Sequence, residues 1–172
     1  VNYAQGSAKH DFNLPAIENS SFLLSQALQK NGLVAEFFDN MKLQGEPVLK
    51  RIDSNLVHQW WDESKFPSEF VPNDKFSVRW KGVIVPSKST EYMFSARNTV
   101  MSSDNDKGIK IYLDNEIILD QWTTHVGWET GITKKLVAGK AYDFKVEYID
   151  DIDWAGVTTV SYTHLRAHET DR

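Results

Sequence analysis

The segment Asp120-Gln121-Trp122-Thr123-Thr124-His125-Val126-Gly127-Trp128 concentrates residue types that recognise sugars. Sugar rings stack on aromatic faces, while their hydroxyls exchange hydrogen bonds with carboxylates, amides and imidazoles. Trp122, His125 and Trp128 are therefore candidate carbohydrate contacts. The alternative places Trp122 in a core and leaves His125 as an ordinary loop residue. Trp60-Trp61 carries the same ambiguity, and at least one of the two is expected to be core. Glycoside hydrolysis needs two carboxyl groups flanking the scissile bond. Glu36, Glu147, Asp150, Asp151 and Asp153 are available, but nothing in the sequence raises one pKa against another. The run Tyr148-Ile149-Asp150-Asp151-Ile152-Asp153 reads instead as a solvated loop. There is no glycine-rich phosphate cradle and no serine-centred nucleophile elbow.

A length of 172 residues fits one domain with an attached segment and is enough to bury a core. Zero cysteines exclude disulfides and thiolate metal sites without fixing the compartment. The net charge of -5 argues against a phosphate-tracking surface, so nucleic acid is not an expected partner. No apolar run approaches the roughly 20 residues that span a bilayer. The start at Val1 rather than Met suggests a cut chain, and a periplasmic or secreted parent is favoured.

The elements that must position these residues are strands. Val34, Glu36 and Phe38 alternate with Ala35 and Phe37, and Tyr142, Phe144, Val146 and Tyr148 alternate with Asp143, Lys145 and Glu147. Such alternation gives each strand one buried and one wet face. Turn formers fall at Gly45-Glu46-Pro47, Pro86-Ser87-Lys88-Ser89, Asp114-Asn115 and Ala138-Gly139-Lys140. Asp114-Asn115, set between IKIYL and EIILDQW, is a short-hairpin signal. The fold class is all-β, an antiparallel sandwich or barrel. Ahead of it, Ser20 to Lys30 offers a short helical stripe, or else an apolar extended linker.

Four blocks in order, GLVAEFFDN from Gly32, FSVRWKGVIVP from Phe76, EYMFSARN from Glu91 and KGIKIYLDNEIILDQW from Lys107, resemble the PA14 family of β-sandwich modules. Trp80 is expected to pack and Arg79 to pair with an acidic residue. The family's acidic loop corresponds here to Ser102-Ser103-Asp104-Asn105-Asp106-Lys107-Gly108. The resemblance implies Asp104, Asn105 and Asp106 as Ca2+ ligands, and Asp104 and Asp106 as carbohydrate contacts, although Lys107 stands where a second aspartate is usual. A cation of this kind needs several converging hard oxygens, and the alternative is a loop whose side chains cap their own backbone. The opening VNYAQG resembles the approach to a PA14 insert in family-three glycoside hydrolases, so the resemblance implies a β-glucosidase-like parent acting on an oligosaccharide or glycan. A free-standing Ca2+-dependent adhesin module and a structural spacer are the alternatives. The expected organisation is residues 1–31 as parent-domain linker, 32–159 as the PA14 module, and 160–172 as a tail resembling a translated sequencing adapter. The spacing of His164 and His168 within that tail is therefore not read as a metal site. A ladder broken after Thr159 is expected to leave one sheet edge open.

Overall fold

Strands with one apolar face are stable only when that face is covered, and two such sheets cover one another. The computed structural model describes residues 19–25, 30–60, 68–98, 107–122, 130–151 and 155–163. Its strands are β1 (Phe22–Leu23), β2 (Leu33–Phe38), β3 (Leu49–Asp53), β4 (Val57–Trp60), β5 (Phe76–Ile84), β6 (Thr90–Asn98), β7 (Gly108–Leu113), β8 (Glu116–Gln121), β9 (Thr130–Leu136), β10 (Tyr142–Asp150) and β11 (Ala155–Thr163). One sheet runs β3-β2-β5-β10-β7-β8, with β1 paired to the end of β5, and the other runs β4-β11-β6-β9. Every pairing described is antiparallel. The all-β sandwich expected from the alternation is the fold observed.

The core lies between the sheets and is aromatic. Phe37, Phe76, Trp80 and Tyr148 of the larger sheet are buried with Trp60 and Phe94 of the smaller one. Trp60 meets Phe37, Phe76 and Tyr148 at centroid distances of 6.3, 5.4 and 5.9 Å, and Phe94 meets Phe144 at 6.2 Å. The hairpin expected at Asp114-Asn115 is present, with φ of 49° and 65° at the two residues. Both angles lie in the left-handed region that a tight hairpin turn demands.

Of the helix expected from Ser20 to Lys30, residues 26–29 lie outside the described residues, and residues 20–25 are not α-helical. A single 3-10 turn, Asn19–Ser21, leads into β1, where Phe22 and Leu23 are extended. Phe22 and Leu23 are both buried, which adjacent residues of an extended chain achieve only when both faces are covered. They pair with Ile84 and Val83, and Phe22 packs on Phe144 at 5.6 Å. Gly82 permits this approach. A Cβ there would lie 2.5 Å from the Leu23 carbonyl oxygen and 2.6 Å from a Leu33 methyl.

The open edge expected after Thr159 is also absent. β11 is an interior strand, and its pairing with β6 continues through Val160↔Ser95 to Thr163↔Tyr92. Val, Ser, Tyr and Thr at 160–163 suit an extended backbone, and the ladder itself asks only for main-chain donors and acceptors.

Where the chain passes from β3 to β4 it crosses between sheets, and a polar knot holds the crossing. Asp53 accepts hydrogen bonds from Trp80 Nε1 at 2.9 Å and Arg51 Nε at 2.7 Å. His58 Nε2 lies 3.3 Å from the same carboxylate, and its ring lies parallel to those of Trp60 and Trp80 at 5.3 and 5.6 Å. Burial lowers the His58 pKa below the ordinary histidine value, Arg51 adds to that, and the attraction of Asp53 opposes it.

Gly82→Ala is expected to cost about 1–3 kcal/mol through overpacking against the β1 backbone, read as a lower urea midpoint with unchanged slope. His58 is held neutral, so its contribution to stability is complete above its unfolded pKa near 6.5 and is lost as pH falls through the folded value. Thermal melts between about pH 7 and 5 are expected to fall more steeply in the native chain than in His58→Phe, which keeps the stack but has no imidazole to protonate.

Candidate functional site

Strand alternation sends every second residue of the larger sheet outward, and there the side chains form charged rows. In register across six strands stand Lys50, Glu36, Arg79, Glu147, Lys110 and Asp120, with the sign of charge alternating at each step. Arg79 Nε lies 3.0 Å from Glu147 Oε1, as expected for a paired arginine, while Trp80 points inward and is fully buried. Lys110 reaches Asp120 at 3.4 Å. Glu147 is held below the usual carboxylate range: burial alone would raise it, but hydrogen bonds from Tyr112 and Arg79 and the charge of Lys145 outweigh burial. It is therefore ionised and committed to cations, not poised as a general acid.

Trp122 lies just past the end of β8, two residues beyond Asp120. Its indole is half-buried, the Lys110 ammonium lies 4.9 Å from the ring centroid, and its backbone N–H donates to Asp120 Oδ1 at 3.0 Å. Gly108 allows the Trp122 backbone to lie against β7, since a Cβ there would sit 2.7 Å from the Trp122 carbonyl oxygen. Lys107 and Trp122 thus flank one end of the sheet. Asp104, Asn105, Asp106, His125 and Trp128 lie outside the described residues, as does Trp61; Trp60 is core.

At this end the expectation of a solvated loop needs correction. Asp150 is fully buried, its Oδ1 lies 3.1 Å from the Lys107 ammonium, and Tyr148 donates to the same oxygen at 3.1 Å. Burial pushes the Asp150 carboxyl up to about 6, with Lys107 and Tyr148 pulling the other way. The alternation of Tyr142, Phe144, Val146 and Tyr148 already places residue 150 on the inward face, a signal hidden by the neighbouring acidic residues. Asp150 Oδ2 and Gln121 Oε1 are buried without a hydrogen-bond partner among the described residues. No group of three or more metal-ligating His, Asp or Glu side chains occurs among the described residues. Asp150 already faces a buried ammonium, and the expected calcium ligands Asp104, Asn105 and Asp106 lie outside the described residues.

A family model described as the PA14 domain matches residues 29–171. The chain belongs to the PA14 domain family. Among relatives, the anti-sigma-I factor RsgI3 of Acetivibrio thermocellus is 30% identical over 122 residues, covering 71% of this chain and 17% of that protein. The solved anti-sigma factor domain-containing protein from Clostridium clariflavum is 30% identical with a TM-score of 0.64, covering 79% of this chain and 43% of its own. The β-glucosidase from Kluyveromyces marxianus in complex with glucose superposes with a TM-score of 0.68 at 22% identity, over 96% of this chain and 20% of the enzyme, a likeness of fold. This PA14 domain spans less than half the length of each of these proteins.

The Lys107–Asp150 pair is expected to anchor this end of the PA14 sheet. Lys107→Met leaves a buried carboxylate unpaired and is expected to cost about 3–5 kcal/mol by denaturant unfolding. The double variant Lys107→Met/Asp150→Leu is expected to recover most of that loss, because removing both charges removes the uncompensated one.

Proposed function

We propose that this PA14 domain is a carbohydrate-binding, pocket-shaping module of a larger chain, in which it presents the Trp122 end of its sheet to an oligosaccharide. The observation that carries the reading is the half-buried Trp122 indole beside Lys110 and Asp120. It combines an aromatic platform with donors and acceptors suited to ring hydroxyls. The described charged residues at this end are paired, so recognition there rests on stacking and hydrogen bonds.

The parent we favour is a β-glycosidase of the β-glucosidase kind, supported by the N-terminal approach segment and by the shared fold with the Kluyveromyces marxianus enzyme. In such a parent the catalytic carboxylates come from another domain, and this module contributes to the +1 side of the pocket. A second reading, a PA14 domain appended to an anti-sigma factor, is favoured by the 30% identity to the Acetivibrio thermocellus and Clostridium clariflavum proteins. The coding sequence on either side of residues 32–159 separates the two: a barrel upstream supports the glycosidase, and an anti-sigma domain supports the other.

Calorimetric titration of the chain with β-linked gluco- and xylo-oligosaccharides is expected to show binding that Trp122→Ala weakens about tenfold, as loss of a stacking platform requires, with little change in melting temperature. Binding insensitive to Trp122→Ala, or no binding to any oligosaccharide, counts against the reading.

A further inference from the structure

A second feature of the same outer sheet face lies away from Trp122. Lys81 on β5 and Lys145 on β10 are direct cross-strand partners, a like-charge juxtaposition that is unfavourable unless something offsets it. Tyr112 on β7 continues the row opposite Lys145, whose ammonium lies 3.7 Å from the Tyr112 ring centroid. These three side chains, with Asn115 and Asp143, line a shallow pocket of about 250 Å³.

The charges here do not balance. Glu36 serves two cations, Lys81 at 3.0 Å and Lys50 at 3.5 Å. Glu147 serves two more, Arg79 at 3.0 Å and Lys145 at 3.2 Å, and also accepts the Tyr112 hydroxyl at 2.8 Å. Of the charged groups only Lys81, Lys145 and Asp143 line the pocket, two positive charges against one negative, with Asp114 Oδ1 accepting the Asp143 N–H at 2.9 Å beside the rim. Lys81 and Lys145 keep 49% and 32% of their side-chain surface exposed, which leaves ammonium hydrogens available to a ligand.

We infer that this pocket binds the carboxylate of an acidic sugar, a uronic acid residue of an oligosaccharide, between Lys81 and Lys145. A single excess positive charge suits a monoanion. A phosphate dianion would meet Asp143 with no backbone amide cradle to offset it. Asp143 as acceptor and the Asn115 amide at the hairpin tip suit ring hydroxyls, and the Tyr112 ring supplies an apolar wall. None of the lining residues belongs to the Trp122 end, so this site stands or falls separately from the one proposed above.

The test is a titration of the full chain with a glucuronic acid oligosaccharide, its neutral gluco-oligosaccharide counterpart and inorganic phosphate, at two salt concentrations. The acidic oligosaccharide is expected to bind at least about tenfold more tightly than the other two, and more weakly at high salt, because the contact is an exposed ion pair. Lys81→Gln/Lys145→Gln is expected to lose that preference, while Trp122→Ala keeps it. Amide shifts of Gly82 and Asn115 in the native chain, followed by NMR during the same titration, report on the pocket without any substitution. Equal affinity for the neutral sugar, equal affinity for phosphate, or unmoved Gly82 and Asn115 amides would overturn the inference.

Discussion

The pairing of β5 with β10 is the constraint from which the rest of the sandwich is built. Nine residues on each strand face one another in unbroken register, from Tyr142↔Ile84 to Asp150↔Phe76. Because side chains alternate strictly, this one register puts Phe76, Val78, Trp80, Val146 and Tyr148 into the core and turns Arg79, Lys81, Lys145 and Glu147 outward. A slip by one residue would bury the charges and expose the tryptophan, so the aromatic interior and the ionic exterior hold the register jointly. The strands that pair on either side, β2 and β7, inherit the same phase and extend both patterns across the sheet.

The two ion systems therefore play different parts. The outer rows are solvent-accessible and several of their charges have more than one partner, so no single pair contributes much to stability. Their physical effect is to organise a polar surface and keep glutamates ionised. Lys107 and Asp150 are enclosed, and there the balance of desolvation against attraction makes the pair valuable chiefly because losing one member leaves the other stranded. The Asp53 knot is intermediate: its carboxylate is buried, yet three separate side chains from β3, β4 and β5 converge on it, and this joins the two sheets at the crossover.

Much of this architecture was legible in the sequence where the local rule and the tertiary context agree. Strand alternation gave the inward Trp80 and outward Arg79, and the tolerance of Asp and Asn for positive φ gave the hairpin at Asp114-Asn115. The misreadings arose where a local pattern competed with a distant partner. Phe22 and Leu23 look like part of a helical stripe until β5 and Phe144 are there to cover them. Asp150 looks solvated among other acidic residues until Lys107, far away in the chain, is brought beside it. Of the proposed sugar-contacting residues, Trp122 has a described place, at the edge of the outer face; the ion rows next to it follow from strand register, which composition alone does not reveal.

The place of β11 bears on how the domain is made. It is the last described strand, yet it lies inside the smaller sheet, hydrogen-bonded to β4 on one side and β6 on the other. On a ribosome, β4 and β6 emerge early and have no β11 between them until nearly the whole domain has been synthesised. The larger sheet can assemble on the nascent chain up to β10, while its aromatic face waits for the cover that the smaller sheet provides. The smaller sheet thus closes only once β11 has emerged, a step governed by long-range pairing, and until then the chain exposes the apolar surface that a chaperone would hold.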